Sequence, residues 1–380
     1  MVLIKKLTAL LLCIVVLTGI VTGCGKITAE ETSTVAETTV AAVTSAVTDT
    51  IPSIESTAAE TYETTEARKL YSFKTKVSSS FLEETFGKGM CESWFSLVDA
   101  VLAGEDTFSC PNGHTYMWVI AEFPKVCFPV LGEIVDTEEN VDLTGIDGTA
   151  RFRYKVSEEE AAKMINEFVD LTEDILNESM NPDYTDFENM LSLYMYFENT
   201  YTYDYETAEL VKTEPAKANY TSAYRLLTQK TGICCEIAEA YSYLLLQAGI
   251  EASVVSNSDH EWSIVKLGEN YYHVDPTFAL GSGGSLAYFM MNDEQRCYTG
   301  SYKTSEFQYV SIYSPEFPLE LPADDETFKD IWDGYISYFD PETDTIGYDI
   351  FRNGNVVDRG VFDYSGMDYS ESDYNGSEAA

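Results

Sequence analysis

Gly232-Ile233-Cys234-Cys235-Glu236-Ile237-Ala238 decides the reading of this chain, together with Asp259-His260-Glu261-Trp262 and His273-Val274-Asp275-Pro276-Thr277 downstream. From Cys234 to Ala248 there are few breakers. Ile237, Ala238, Tyr241, Leu244, Leu245 and Ala248 recur at helical spacing, so the segment reads as a largely buried helix. Gly249 is a natural stop, because glycine takes the left-handed conformation after a last turn. Lys230-Thr231-Gly232 reads as the turn into the helix. Cys234 then sits in the first turn, where unpaired N–H groups and the helix dipole favour an anion. A thiol there loses its proton more readily, and the thiolate is the reactive form.

Ala252–Ser256, Glu261–Leu267 and Tyr271–Asp275 have strand composition, with Gly268-Glu269-Asn270 as a hairpin turn. If Gly268-Glu269 is a two-residue turn, Leu267 faces Asn270. Asp275 then falls opposite Trp262, one diagonal step from His260 on the same sheet face. A turn at Leu267-Gly268 keeps that parity and sets His260 opposite Asp275. A three-residue turn without a bulge would put the two on opposite faces. The chain thus offers a thiol nucleophile, an imidazole base and an orienting carboxylate in order.

At these residues the chain resembles the transglutaminase-like superfamily, papain-related cysteine acyl-transfer enzymes. The shared motifs are Gly232-Ile233-Cys234 with Ala238, then His260-Glu261-Trp262-Ser263, then Asp275-Pro276-Thr277-Phe278. The resemblance implies an α+β fold, with the nucleophile helix packed on an antiparallel sheet. It also implies Cys234 as nucleophile, His260 as general base and Asp275 as the group that orients the imidazole. Trp262 would be a supporting residue. Tyr203, in Tyr201-Thr202-Tyr203-Asp204, is either a hydrogen-bond donor to an oxyanion beside the Cys234 N–H or a packing aromatic. Tyr288-Phe289-Met290-Met291 resembles the segment that follows the core in secreted bacterial members. Three positions depart from the pattern: Ile237 replaces an aromatic, Glu261 an alanine and Ser263 an asparagine. Strand alternation should point Glu261 away from the base.

Two rivals come from the residues themselves. Cys235 is rotated about 100° from Cys234 on a helix, so both cannot face one histidine. His273 shares a strand face with Asp275 but points parallel to it. His114 reads as a loop residue and Tyr224 as core. With three histidines in all and no Cys-x-x-Cys pair, neither a metal nor another cofactor is expected. Cys110 with Cys91 or Cys127 is a possible disulfide, with Cys297 left over.

Lys5 and Lys6 precede the apolar run Leu7–Val21, too short for a comfortable membrane span, and Val21-Thr22-Gly23-Cys24 resembles a bacterial lipobox. Residues 1–23 then read as a lipoprotein signal peptide, with lipid on Cys24 tethering the chain to the outer side of a bacterial membrane. An uncleaved N-terminal anchor is the alternative. Residues 24–67 are rich in Thr, Ser, Glu and Ala, with Lys26 the only base, and read as a disordered spacer. The remainder is folded in composition, and the whole chain is 45% hydrophobic and 13% aromatic. A net charge of −41 over 380 residues argues against nucleic acid as a partner. Protein or cell-wall peptide substrates remain. The reading divides the folded part into an accessory region (68–180), the catalytic core (181–302), a C-terminal extension (303–363) and an acidic tail (364–380).

Within these, Ser80–Gly104 looks helical, and Tyr116–Phe123 and Val126–Val135 read as short strands or loops. Thr149–Val156 reads as a half-buried strand. A helix starts at the Ser157–Glu160 capping box, and Asp183–Asn199 is a second one. Glu326–Phe339 reads as a short helix, and Asn353-Gly354 marks a hairpin between Ile346–Phe351 and Val356–Phe362. Function is then membrane-tethered acyl transfer on peptide or glutamine amides through a thioester, by hydrolysis or cross-linking. A catalytically silent scaffold of the same fold is the alternative.

Overall fold

The computed structural model describes residues 69–136, 141–214, 222–309 and 319–367. The signal segment, Cys24, the spacer and most of the acidic tail lie outside them. The described part opens with α1 (Ser80–Phe86) and α2 (Lys88–Leu102). The single helix expected over Ser80–Gly104 is broken at Gly87, whose φ of 86° suits glycine alone. There follow β1 (Thr107–Ser109), α3 (Gly113–Ala121), α4 (Phe123–Cys127), α5 (Val130–Ile134) and β2 (Thr149–Arg151).

The strands or loops expected across Tyr116–Phe123 and Val126–Val135 are helices instead. Asn112 caps α3 by accepting from the Thr115 N–H at 3.0 Å. Pro124 occupies an opening position of α4, where no N–H is needed. Phe123, Val126, Cys127, Val130 and Leu131 are all buried. Helices this short and mostly apolar show too few turns for a helical period to register in their sequence. His114, read as a loop residue, lies on α3. Of the strand expected at Thr149–Val156, only β2 pairs regularly, with β1, while Tyr154 forms an isolated bridge to Val135.

Next come α6 (Glu158–Ser179), capped by Ser157, and α7 (Asp186–Thr200), closed by a reciprocal Thr185–Glu188 box. Short β3 (Thr202–Tyr203) pairs in parallel with β4 (Thr231–Gly232). Between them lie α8 (Tyr205–Thr213) and α9 (Ala223–Gln229). Helix α10 (Cys234–Ala248) is buried along nearly its whole length and ends at Gly249, φ 92°.

Strands β5 (Ala252–Ser256), β6 (Glu261–Leu267) and β7 (Asn270–Val274) form an antiparallel sheet, extended at its β5 edge by β8 (Gln308–Tyr309). Leu267 faces Asn270 and Ser263 faces Val274, the register of a two-residue Gly268-Glu269 turn. Helix α10 lies on one face of this sheet. The Ser263 hydroxyl donates to the Ala238 carbonyl at 3.1 Å, and Ser242 to the Ser253 carbonyl at 2.9 Å. Ser263, where the family pattern has asparagine, therefore fastens strand to helix. The short α11 (Pro276–Ala279) and α12 (Asp293–Gly300) follow β7. The fold is α+β.

The C-terminal region is a three-stranded sheet, β9 (Tyr335–Asp340), β10 (Thr345–Arg352) and β11 (Asn355–Asp363), in the order β11-β10-β9. The helix expected at Glu326–Phe339 is instead a one-turn 3₁₀ segment, Lys329–Ile331, followed by β9. Strand pairing with β10 overrides the local apolar spacing. Asn353 and Gly354 take φ of 53° and 74°, the primed hairpin geometry their sequence calls for.

One main core runs from Phe81 to Tyr364, and Val211, Ile233 and Cys235 form a small separate cluster. Tyr364, placed by composition in the tail, is buried. Its ring meets Phe187 at 5.0 Å, and its hydroxyl donates to the buried Glu188 carboxylate at 2.9 Å. Tyr364→Ala should lower unfolding stability by about 3–5 kcal/mol, and Tyr364→Phe by about 1–2 kcal/mol, in urea titrations.

Candidate active site

The start of α10 is set by a buried ion pair. The Glu236 carboxylate accepts from the Ile233 N–H at 2.8 Å and the Ser222 N–H at 3.0 Å. Arg225 grips it with a two-pronged fork, at 2.6 and 2.5 Å, and reaches Asp204 after β3 at 2.9 Å. A Cβ on Gly232 would lie 2.8 Å from a Leu226 methyl and 2.9 Å from Glu236 Oε2, so a larger residue would press on the carboxylate that holds the turn. Cys234 is thereby fixed as the first residue of α10, at 6% exposure.

His260 lies just before β6 and Asp275 just after β7, where it caps α11. His260 Nε2 donates to Asp275 Oδ2 at 2.8 Å. That leaves Nδ1 as the nitrogen through which the ring can exchange a proton with a thiol. Phe278 stacks on the imidazole, ring centroids 4.7 Å apart and 6° from parallel. Asp275 is fully buried. Burial alone would raise its carboxyl pKa, but the His260 and Arg296 charges outweigh that and hold it below the usual range. Helix α10 packs against both β6 and α11. Tyr302 joins the two sides: its ring stacks 6.5 Å from His260 and lies near enough to Cys234 to feel a thiolate's charge.

The rivals fall elsewhere. Cys235 packs with Val211, Ile233 and Tyr203, and burial pushes its thiol well up. Tyr203 packs against both that cluster and the main core, and its ring meets Tyr205 at 4.9 Å. His273 accepts from Trp262 Nε1 on Nδ1, at 2.9 Å, and donates from Nε2 to Asp293 at 2.9 Å. Burial lowers its pKa, so this imidazole is held neutral in one tautomer. Trp262 supports the site through His273 on one edge, with its ring stacked 6.0 Å from His260.

Sequence reading missed Arg296, Tyr302 and Asp293. They lie on and just after α12, and a charged residue three positions from another on a short helix looks like a solvated face. None of the six described cysteines forms a disulfide. The disulfide considered for Cys110 does not form: its thiol donates to the Asn112 carbonyl at 3.3 Å, while Cys91 accepts from Ser78. Among the described residues, no group of three or more His, Cys, Asp or Glu could hold a metal.

Residues 173–280 match the model of the transglutaminase-like superfamily. Two solved structures align over part of the chain. One is described as a putative cysteine protease from Cytophaga hutchinsonii, at 17% identity, covering 30% of this chain and 38% of that one, with a TM-score of 0.23. The other is described as a TGase, at 20% identity, covering 32% and 34%, with a TM-score of 0.26. This chain thus spans little more than a third of each. No curated protein matches it.

Glu261 does point away from His260, into a cluster with Glu239 and the Lys125–Glu122 ion pair of 2.9 Å. Burial pushes its carboxyl up to about 7, against the opposing Lys125 charge. The folded state then holds a proton that the unfolded chain releases in the ordinary glutamate range. Stability from this group falls as pH rises from there to about 7. Glu261→Gln should stabilise the protein at pH 8 by on the order of 1–3 kcal/mol and leave it unchanged at pH 4, in urea titrations at both pH values.

Proposed function

We propose that the protein is a cysteine acyl-transfer enzyme that acts on peptide or glutamine amides, tethered outside the cytoplasm by lipid on Cys24. The observation that carries the reading is the 2.8 Å His260–Asp275 bond beside a helix that begins at Cys234. The Cys234 proton passes to His260 Nδ1. The sulfur attacks the amide carbonyl, and the C–N bond breaks as the imidazolium returns its proton to the leaving nitrogen. A thioester remains on Cys234. Water or a primary amine, deprotonated by His260, attacks it and releases the thiol. The Cys234 N–H, at the start of α10, serves as a backbone donor to the developing oxyanion. For a surface lipoprotein, hydrolysis of surface-protein or wall-peptide amides is the favoured outcome.

A silent scaffold of the same fold draws on the low exposure of Cys234, 6%. Iodoacetamide labelling with peptide mapping separates the two. Cys234 should label fastest of the described cysteines at neutral pH, and His260→Ala should slow it at least tenfold. Uniformly slow labelling of all six would favour the scaffold. Incubation with a labelled primary amine and a glutamine-bearing protein should release ammonia without lasting amine incorporation if hydrolysis dominates. Cys24→Ser should move the protein from the membrane fraction to the soluble one.

A further inference from the structure

Helix α12 lies beyond residues 173–280, yet it delivers a charge to the site. Arg296 is fully buried. Its Nη2 lies 3.1 Å from Asp275 Oδ2, the oxygen that also holds His260. Nη1 donates to Thr299 Oγ1 at 3.4 Å, while Nε and Nη2 meet no acceptor in hydrogen-bond geometry. The guanidinium carbon sits 4.2 Å from the Trp262 ring centroid, 4.8 Å from Tyr302 and 5.4 Å from Phe278.

A guanidinium cannot shed its proton, and burying one with so few hydrogen bonds is costly. Ring faces offset part of that cost. As a core plug, a methionine would serve as well or better. The feature that singles out arginine is the shared Asp275 oxygen. The same three rings that hold the guanidinium also stack on or beside His260.

We propose that Arg296 is a positioning residue of the Cys234–His260–Asp275 site, which balances the Asp275 charge so that His260 exchanges a proton with Cys234 instead of being locked in an ion pair. The inference rests on the acyl-transfer reading. The other groups facing this pair leave the balance to Arg296. Burial raises the Tyr194, Tyr288 and Tyr302 phenols, which therefore stay neutral. His273 is neutral and tied to Asp293. Asp259 lies beside His260 in the chain, and its Oδ1 is occupied by the Ser258 hydroxyl.

The test measures the pH profile of Cys234 alkylation by iodoacetamide in the full chain, with unfolding stability alongside. Loss of the buried cation in R296M should move the midpoint up by about one pH unit, a roughly tenfold slower reaction on the acid limb. R296K, which keeps the charge, should restore the midpoint. R296Q serves if R296M does not fold. A neutral variant with an unmoved midpoint and only lower stability would overturn the proposal. So would failure of both neutral variants to fold while R296K folds, since the charge would then be a requirement of folding. If wild-type Cys234 shows no His260-dependent labelling, the acyl-transfer reading itself falls. If it does, and R296M keeps the wild-type profile, only the role of Arg296 falls.

Discussion

A buried carboxylate without partners would take up a proton, and the arrangement around Asp275 exists to prevent that. Its two oxygens meet the His260 ring, the Arg296 guanidinium and the Phe278 N–H. Each partner comes from a different part of the chain: the start of β6, helix α12 and the first turn of α11. An anion at zero exposure is tolerated because opposite charge and hydrogen bonds replace water. Strand register, the stop after β7 and the docking of α12 all serve that one compensation.

A second buried pair does the equivalent work beside Cys234. Glu236 is held by Arg225 and by two backbone N–H groups, so the turn before Cys234 cannot drift. This carboxyl is nevertheless pushed up, because burial outweighs the fork. The two ion pairs hold different elements: Arg225–Glu236 lies at the start of α10, and Arg296–Asp275 lies behind the His260 imidazole. Between them the sheet and α10 are joined by Ser242 and Ser263, small hydroxyl residues that let helix and strand approach closely.

Much of this was legible in the chain. Helix α10, its Gly249 stop, the three strands and the Gly268-Glu269 register follow from apolar period and turn chemistry, and the His260–Asp275 bond follows from that register. The failures share one cause. At Tyr116–Val135 and Glu326–Phe339 the residues are apolar on all sides or locally ambiguous, so period carries no information about helix or strand. Tyr364 was assigned to the tail by its acidic neighbours, whereas its own ring found a pocket against Phe187.

The sequence by itself determined the helix that starts at Cys234, the order of thiol, imidazole and carboxylate, and the parity that sets two of them on one face. These are local properties: spacing, capping and alternation act within a few residues. Only the tertiary structure decided that Cys235 turns into an apolar cluster, that His273 is a neutral brace between Trp262 and Asp293, and that Arg296 stands behind Asp275. Those outcomes depend on which side chains meet across elements far apart in the chain, and on the cost of burying charge that no short window of sequence records.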